Sequence, residues 1–346
     1  MRREKYISAL IKVGEFIHRF FAKNKSEYGD REEKFSEILR KTERENPWFT
    51  QENLEYALVH WGQILNKKNI EKWQNPYRFS LRPKKIGLVL AGNIPMVGFH
   101  DVLSVILSGH VPFIKYSSKD RVLIPFLLDL WNEFSENELV YEEEVEKLEN
   151  FDAVIATGSN HTARYLEYYF RDYPKIIRKN RTSVAVLDGE ESHEDLQCLS
   201  QDIFRYFGLG CRNVTHVMMP EKFETERLFE SFENFSGVSK HHKYYNNYEY
   251  NRAVFLLNQE KFWDNNFVII KEDEQLFSPL AVVYISRYSD FSQVGEYTEK
   301  NKENIQCVVS GNPKRIKDSI FFGTSQKPDL SAYADNTDTM KFLEML

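Results

Sequence analysis

This chain has three cysteines, at 198, 211 and 307, and one of them sits where a thiol could do covalent chemistry. Cys211 follows Gly208-Leu209-Gly210 and precedes Arg212, at the junction between a helical pattern and an apolar strand pattern. A free thiol of pKa about 8.5 is only a few per cent ionised at neutral pH, so a nucleophilic cysteine needs a nearby cation or backbone amides aimed at its sulfur. Glycines let backbone approach a ligand closely and take unusual dihedrals, and the amides of such a turn are candidate donors. The ordinary alternative is a buried small apolar side chain, the fate of most free cysteines. Cys307 reads that way, inside the apolar run Gln306 to Val309, and Cys198, on one helix face with Asp202 and Arg205, reads as a bystander.

Two further residues have chemistry open to them. Asn93 lies in Gly92-Asn93-Ile94-Pro95, directly after an apolar run, where its amide could donate to a developing oxyanion. Ordinary turn chemistry would also place Asn and Gly there. Lys115 closes an otherwise apolar strand pattern, where an ammonium could bond a ribose or phosphate, or simply reach out to water. The histidines form no metal set: His100 falls on a buried helix, His216 in a strand, and His241-His242 in a polar loop. There is no H-E-x-x-H spacing and no G-x-G-x-x-G loop.

The elements that must position these residues follow from hydrophobic period. Residues 1 to about 75 are charged and helical in pattern, with Leu10, Val13, Ile17, Phe20 and Phe21 at helical spacing. After Asn75-Pro76 and Arg82-Pro83 the texture changes. Ile86 to Ala91, Val111 to Tyr116 and Phe151 to Thr157 are short apolar runs typical of strands buried on both faces. Between them lie an apolar helix from Met96 to Leu107, ended by Gly109, and a helix carrying Leu123, Leu127, Leu130 and Phe134, for which Ser117, Ser118 and Asp120 are candidate caps. A further helix runs through Tyr165 and Tyr169. Alternating strand and helix predicts a parallel, doubly wound sheet, whose ligands bind beyond the carboxyl ends of its strands. Asn93, Lys115 with Ser117-Ser118, and Thr157-Gly158-Ser159 all fall on that edge. A second region begins near Val184 to Leu187; its helix with Leu196, Leu199, Ile203 and Phe207 leads to Cys211 and the strand Val214 to Met219.

Bulk properties narrow the class. The chain has 346 residues, 42% of them hydrophobic, and a net charge of −6, so it can bury a sizeable core and carries no basic field for nucleic acid. Dispersed, odd-numbered cysteines without a C-x-x-C pair argue for a reducing compartment, hence the cytoplasm. Lys12 and Glu15 interrupt the N-terminal apolar run, so no signal peptide is expected, and no stretch is apolar enough for a transmembrane helix. The aromatic share is high, 14%, which suits a well-filled core or the walls of an acyl tunnel.

Taken in order, VLAGNIPMVGFHDVLSVILSG, KYSSKD, ATGS, IIRKNRTSVAVL and YFGLGCRNV strongly resemble the acyl-CoA reductase (LuxC-like) family of the aldehyde dehydrogenase superfamily. Weaker likeness runs through QLFSPLAVVY (275–284) and YADNTDTMKFL (333–343). The resemblance implies an α/β, aldehyde dehydrogenase-like fold. A Rossmann-type cofactor domain would span about 1–186, completed by 311–346, and an α/β catalytic domain about 187–310. It implies that Cys211 is the nucleophile and that Asn93 helps bind the thioester oxyanion. Lys115 would bond the adenosine ribose, with Ser117 and Ser118 beside it, and Thr157, Gly158 and Ser159 would lie next to the dinucleotide.

Two departures from ordinary aldehyde dehydrogenases bear on the reaction. Hydrolytic members carry a glutamate that activates water, in a segment that here reads Arg178-Lys179-Asn180-Arg181, with no carboxylate. Without that base the acyl-enzyme should persist, which favours reduction of an activated acyl group. The superfamily's E-x-F-x-P becomes Gln275-Leu276-Phe277-Ser278-Pro279, so Gln275 and Phe277 are implied to meet the nicotinamide ribose. Three residues after the lysine, where NAD-preferring members often have glutamate, stands Ser118, which implies NADPH, with NADH as the alternative. The implied substrate is long-chain acyl-CoA or acyl-carrier protein, with an acyl-transferring enzyme as a possible partner and homo-oligomeric association. A glutamyl-phosphate type of reductase and a non-catalytic scaffold subunit are the competing readings.

Overall fold

A computed structural model describes residues 2–143, 149–316 and 318–346. The chain forms two compact units, one of Met1–Lys179 with Asp329–Leu346, the other of Asn180–Pro328.

The first unit opens with four helices, α1 (Arg2–Ala22), α2 (Asp30–Glu45), α3 (Gln51–Ile64) and α4 (Lys67–Gln74). α1 buries Tyr6, Leu10, Val13, Ile17 and Phe20, the stripe its spacing predicts. α1 and α3 run so close that a Cβ on Gly14 would lie 2.5 Å from the carbonyl oxygen of Leu65. Strands β1 (Lys85–Val89), β2 (Val111–Lys115), β3 (Glu142–Glu143), β4 (Ala153–Thr157) and β5 (Lys175–Arg178) follow, with α5 (Phe99–Leu107), α6 (Leu123–Phe134) and α7 (Asn160–Tyr169) between them. The strands pair in parallel in the order β3-β2-β1-β4-β5. The order reverses between β1 and β4, which makes the carboxyl ends of those two strands the expected ligand crevice. Residues 329–346, ending in a helix (Thr339–Glu344), complete this core with Leu330, Met340 and Leu343.

Two local expectations are corrected here. The helix expected from Met96 starts at Phe99, because Met96 takes a left-handed conformation (φ 63°) that no helix tolerates. Gly109 does end it, at φ 92°. Ser117, Ser118 and Asp120 do not cap α6, whose N-cap is Val122 with no side-chain bond.

The second unit contains β6 (Thr182–Val186), α8 (His193–Phe204), β7 (Val214–Pro220), α9 (Glu226–Phe232), α10 (His242–Leu257), β8 (Trp263–Asp264), β9 (Ile269–Glu272), β10 (Val282–Tyr288), α11 (Ser292–Lys300), β11 (Ile305–Ser310) and β12 (Ile320–Phe321). Its sheet order is β12-β11-β6-β7-β10-β9-β8, parallel except for β8 against β9. The boundaries drawn from sequence, 1–186 with 311–346 and 187–310, therefore shift. β6 lies between β11 and β7, so its hydrogen bonds commit it to the second sheet, and residues up to 328 stay with it. The stretch read as a polar loop around His241-His242 is α10, capped by the His241 side chain, which accepts from Tyr244 N.

Candidate active site

The turn that carries Cys211 is built on strained backbone. α8 ends at Phe204, and Tyr206 (φ 56°), Phe207 (φ 58°) and Gly208 (φ 77°) follow in the left-handed region one after another. Glycine takes that region freely, but aromatic residues there cost of order 1–3 kcal/mol each and persist only where the surroundings dictate it. What dictates it is Asn213, wholly buried. Its Oδ1 accepts from Gly210 N at 2.8 Å, while its Nδ2 donates to the carbonyls of Arg205 (2.7 Å), Ile203 (3.2 Å) and Asp202 (3.3 Å). Asn213 N closes the turn on Gly210 O at 3.1 Å. One side chain thus binds the end of α8 to the residues around the half-buried Cys211. The Gly210 amide, a candidate donor to the thiolate, is committed to Asn213.

β6 supports the same turn from its other side. Ser183 Oγ donates to Cys211 O at 3.2 Å and lies 3.1 Å from Cys307 Sγ. Cys307 packs against the second unit's core, and burial pushes its thiol pKa up against the opposing pull of Arg212. Cys198 is exposed on α8. A small cavity of about 60 Å³ borders Phe207 and Gly208, walled largely by apolar groups such as Phe204, Val214, Leu280 and Val283.

Gln275 and Phe277 are exposed on the loop after β9. β7 fixes that loop through two consecutive side chains, starting within four residues of Cys211. Thr215 Oγ1 donates to Leu276 O at 2.8 Å, and His216 Nδ1 lies 2.9 Å from Gln275 O. The carbonyl can only accept, so His216 carries its proton on Nδ1 and accepts at Nε2 from Ser286 Oγ, 2.7 Å away. Burial pushes the His216 pKa down to about 4, so the ring stays neutral and stacked on Tyr297. A cavity of about 340 Å³ opens beside this loop, lined by Gln275, Phe277, Tyr297, Lys300, Asn301 and Asn304.

In the first unit the remaining candidates gather on one sheet edge. Asn93 follows β1, Lys115 ends β2, and Thr157 ends β4. Lys115 and Ser118 are exposed. Gly158 packs against α7, where a Cβ would lie 2.9 Å from Thr162 Cγ2, and Ser159 caps α7 by accepting from Thr162 N at 3.2 Å. Asp120, expected from the sequence to cap a helix, takes a different role in this unit. Its Oδ2 accepts from Met96 N at 3.1 Å, and burial pushes its pKa up to about 7. The segment without a glutamate is engaged elsewhere: Arg178 is buried between Asp101 and Thr339 Oγ1 (2.9 Å), and Lys179 pairs with Glu167 at 2.9 Å. Among the described residues no cluster of His, Cys, Asp or Glu could hold a metal ion, and no helix is long and apolar enough to cross a membrane.

Each unit is an α/β unit built on a largely parallel sheet, and solved structures show that the chain has the aldehyde dehydrogenase fold. Aldehyde dehydrogenase 21 from Physcomitrella patens, in complex with succinate, is similar over 100% of this chain and 84% of its own, with a TM-score of 0.69 at 13% identity. A Mycobacterium tuberculosis aldehyde dehydrogenase with NAD+ is similar over 90% of this chain and 73% of its own (TM-score 0.61, 12% identity). An NAD+ complex of a Bacillus cereus aldehyde dehydrogenase is similar over 91% and 73% (TM-score 0.58, 12% identity). No curated protein matches the chain by sequence. The profile of the acyl-CoA reductase (LuxC) family matches residues 21–321, and the chain belongs to that family.

Proposed function

We propose that this chain reduces a long-chain acyl thioester to the aldehyde, through an acyl group held on Cys211 and with NADPH as reductant. The observation that carries the reading is the Cys211 turn, where three left-handed residues are kept in place by one buried asparagine just ahead of a half-buried thiol. Strain of that kind is retained where the position of one group has to be exact to a fraction of an ångström.

The Cys211 thiolate attacks the thioester carbonyl of acyl-CoA or acyl-carrier protein, or of an acyl-transferring partner enzyme. A bond forms between Sγ and the acyl carbon, the bond from that carbon to the carrier sulfur breaks, and the carrier leaves as its thiolate, which takes a proton from water. Asn93 and the Cys211 amide donate to the oxyanion, which is where such donors lower the barrier. The small apolar cavity beside Phe207 and Gly208 offers walls to acyl carbons. The segment Arg178-Lys179-Asn180-Arg181 has no carboxylate of its own where hydrolytic members carry their glutamate, so the acyl-enzyme should last. A reduced nicotinamide, when bound, would supply a hydride to the acyl carbon, and Cys211 would depart as the thiolate to release the aldehyde. The first unit fits such a cofactor: its strand order reverses between β1 and β4, and a lysine and three serines with hydroxyl protons to donate lie along the same edge. Ser118, exposed and not engaged as a helix cap, suits a 2′-phosphate better than a carboxylate would.

The test is mass spectrometry after incubation with a long-chain acyl-CoA alone. An adduct on Cys211 that persists, and that discharges as aldehyde when NADPH is added, is expected. No adduct, an adduct elsewhere, or prompt release of free acid would each defeat the reading.

A further inference from the structure

The turn from Gly92 to Met96 is pinned on both sides of Asn93. Gly92 lies flat against the next turn of the edge, so that a Cβ there would sit 2.5 Å from Ser117 Oγ and 3.2 Å from Asp120 N. Three residues beyond Asn93, buried Met96 stands at φ 63° and gives its N–H to Asp120 Oδ2 at 3.1 Å. A left-handed residue with a Cβ costs roughly 1–2 kcal/mol, so it needs support from outside its own chain segment. Asp120 provides it from the turn that also carries Ser117 and Ser118, itself closed by Asp120 N on Ser117 O (3.1 Å) and by Lys119 N on Ser117 Oγ (3.2 Å).

Among the described residues the Asp120 side chain makes no other hydrogen bond. It is 2% exposed, its Oδ1 is buried without a hydrogen-bond partner, and α6 takes no cap from it. A buried carboxylate with one oxygen unsatisfied is costly, and packing alone gives no reason to keep one. Its one side-chain hydrogen bond among the described residues is with the N–H that sets Met96.

We infer that Asp120 is a positioning residue for catalysis: by holding Met96 it fixes Asn93, and it ties the oxyanion turn to the Ser117-Ser118 turn that would hold the cofactor. This rests on the proposed role of Asn93. The two turns then behave as one rigid piece, and what is bound by Ser117 and Ser118 is registered against what is bound by Asn93.

The experiment is the single-turnover rate of Cys211 acylation by acyl-CoA, without cofactor, in a double-mutant cycle. Asn93→Ala should slow acylation about 10²–10³-fold. Asp120→Ala should slow it at least about tenfold, and the double variant should fall within about threefold of Asn93→Ala, because both changes remove one interaction. Asp120→Asn, whose amide oxygen can still take the Met96 N–H, should restore the rate to within about threefold of the parent, a rescue that a loss of charge or general loosening would not produce. If Asp120→Ala is unfolded by circular dichroism, Asp120→Ser, too short to reach Met96, carries the same expectation. A folded Ala or Ser variant at the parental rate, or losses that multiply in full, overturns the inference. An Asn93→Ala protein at the parental rate instead overturns the oxyanion reading itself.

Discussion

The Cys211 turn and the Asn93 turn both hold side-chain-bearing residues at positive φ, and they do so with opposite chemistry. At Cys211 the support is an amide, and Asn213 uses both ends of it, one accepting from Gly210 and the other donating to the carbonyls of residues 202, 203 and 205. At Asn93 the support is a carboxylate that accepts one N–H and leaves its other oxygen buried without a partner. An amide carries no net charge, so it can satisfy a crowded backbone without the cost of desolvating an ion. A carboxylate in the same surroundings gives up its hydration, and its proton affinity rises accordingly. The first turn is therefore built to stay put, while the second carries a group that responds to what surrounds it.

The largest effect that would test this contrast concerns what the rigid turn presents. Cys211→Ala should abolish acyl labelling and aldehyde formation together, and Cys198→Ala should abolish neither; full labelling of the Cys211 variant would remove the turn's purpose. Next comes the support itself. Asn213→Ala should lower the unfolding free energy by about 3 kcal/mol in urea titrations, since buried groups left unpaired cost ~1–3 kcal/mol each. Asp120→Asn should cost under ~1 kcal/mol, as the Met96 bond survives. The Asp120 carboxyl is pushed from an ordinary 3.8 up to about 7. Between those values the folded protein keeps a proton that the unfolded chain has released, so this contribution to stability is full below pH 3.8 and declines as pH rises to about 7. Asp120→Asn should flatten that decline in melting temperatures measured across the same range. Equal losses at 213 and 120 would erase the contrast.

A last effect, on cofactor choice and not on stability, lies at the outer end of the carboxylate's turn. Ser118→Glu should move the ratio of kcat/KM for NADPH over NADH toward NADH by at least about tenfold, or ~1.4 kcal/mol. A parent that already prefers NADH, and a glutamate that changes nothing, would mean that the 2′-phosphate is not read there.

Strands buried on both faces were the most legible part of the sequence, because β1, β2 and β4 are continuous apolar runs, and the edge they share could be named from the polar residues that follow them. Helix starts were harder where a side chain had been diverted. Asp120 looks like a cap for α6, and only the fold shows that its carboxylate is spent on Met96. α10 escaped notice because its buried positions, Tyr244, Tyr248, Asn251 and Phe255, keep helical spacing with tyrosine and asparagine in place of leucine. In the sequence Asn213 is one letter of YFGLGCRNV. Nothing in its type or spacing says that one amide collects four backbone groups, three of them from residues eight to eleven positions earlier.

The return of residues 329–346 to the first unit has a consequence for how the chain is made. Tyr77 bonds Asp338, Trp73 bonds Tyr333, His110 meets the Leu343 carbonyl, and Arg178 bonds Thr339. None of these partners exists until residues 180–328 have left the ribosome, which takes roughly 7–30 s at about 5–20 residues per second. The second unit is contiguous and can close as soon as it emerges. The first, begun earlier, waits for that whole interval with the sockets of Leu330, Met340 and Leu343 open, an apolar surface that a nascent-chain chaperone would have time to cover.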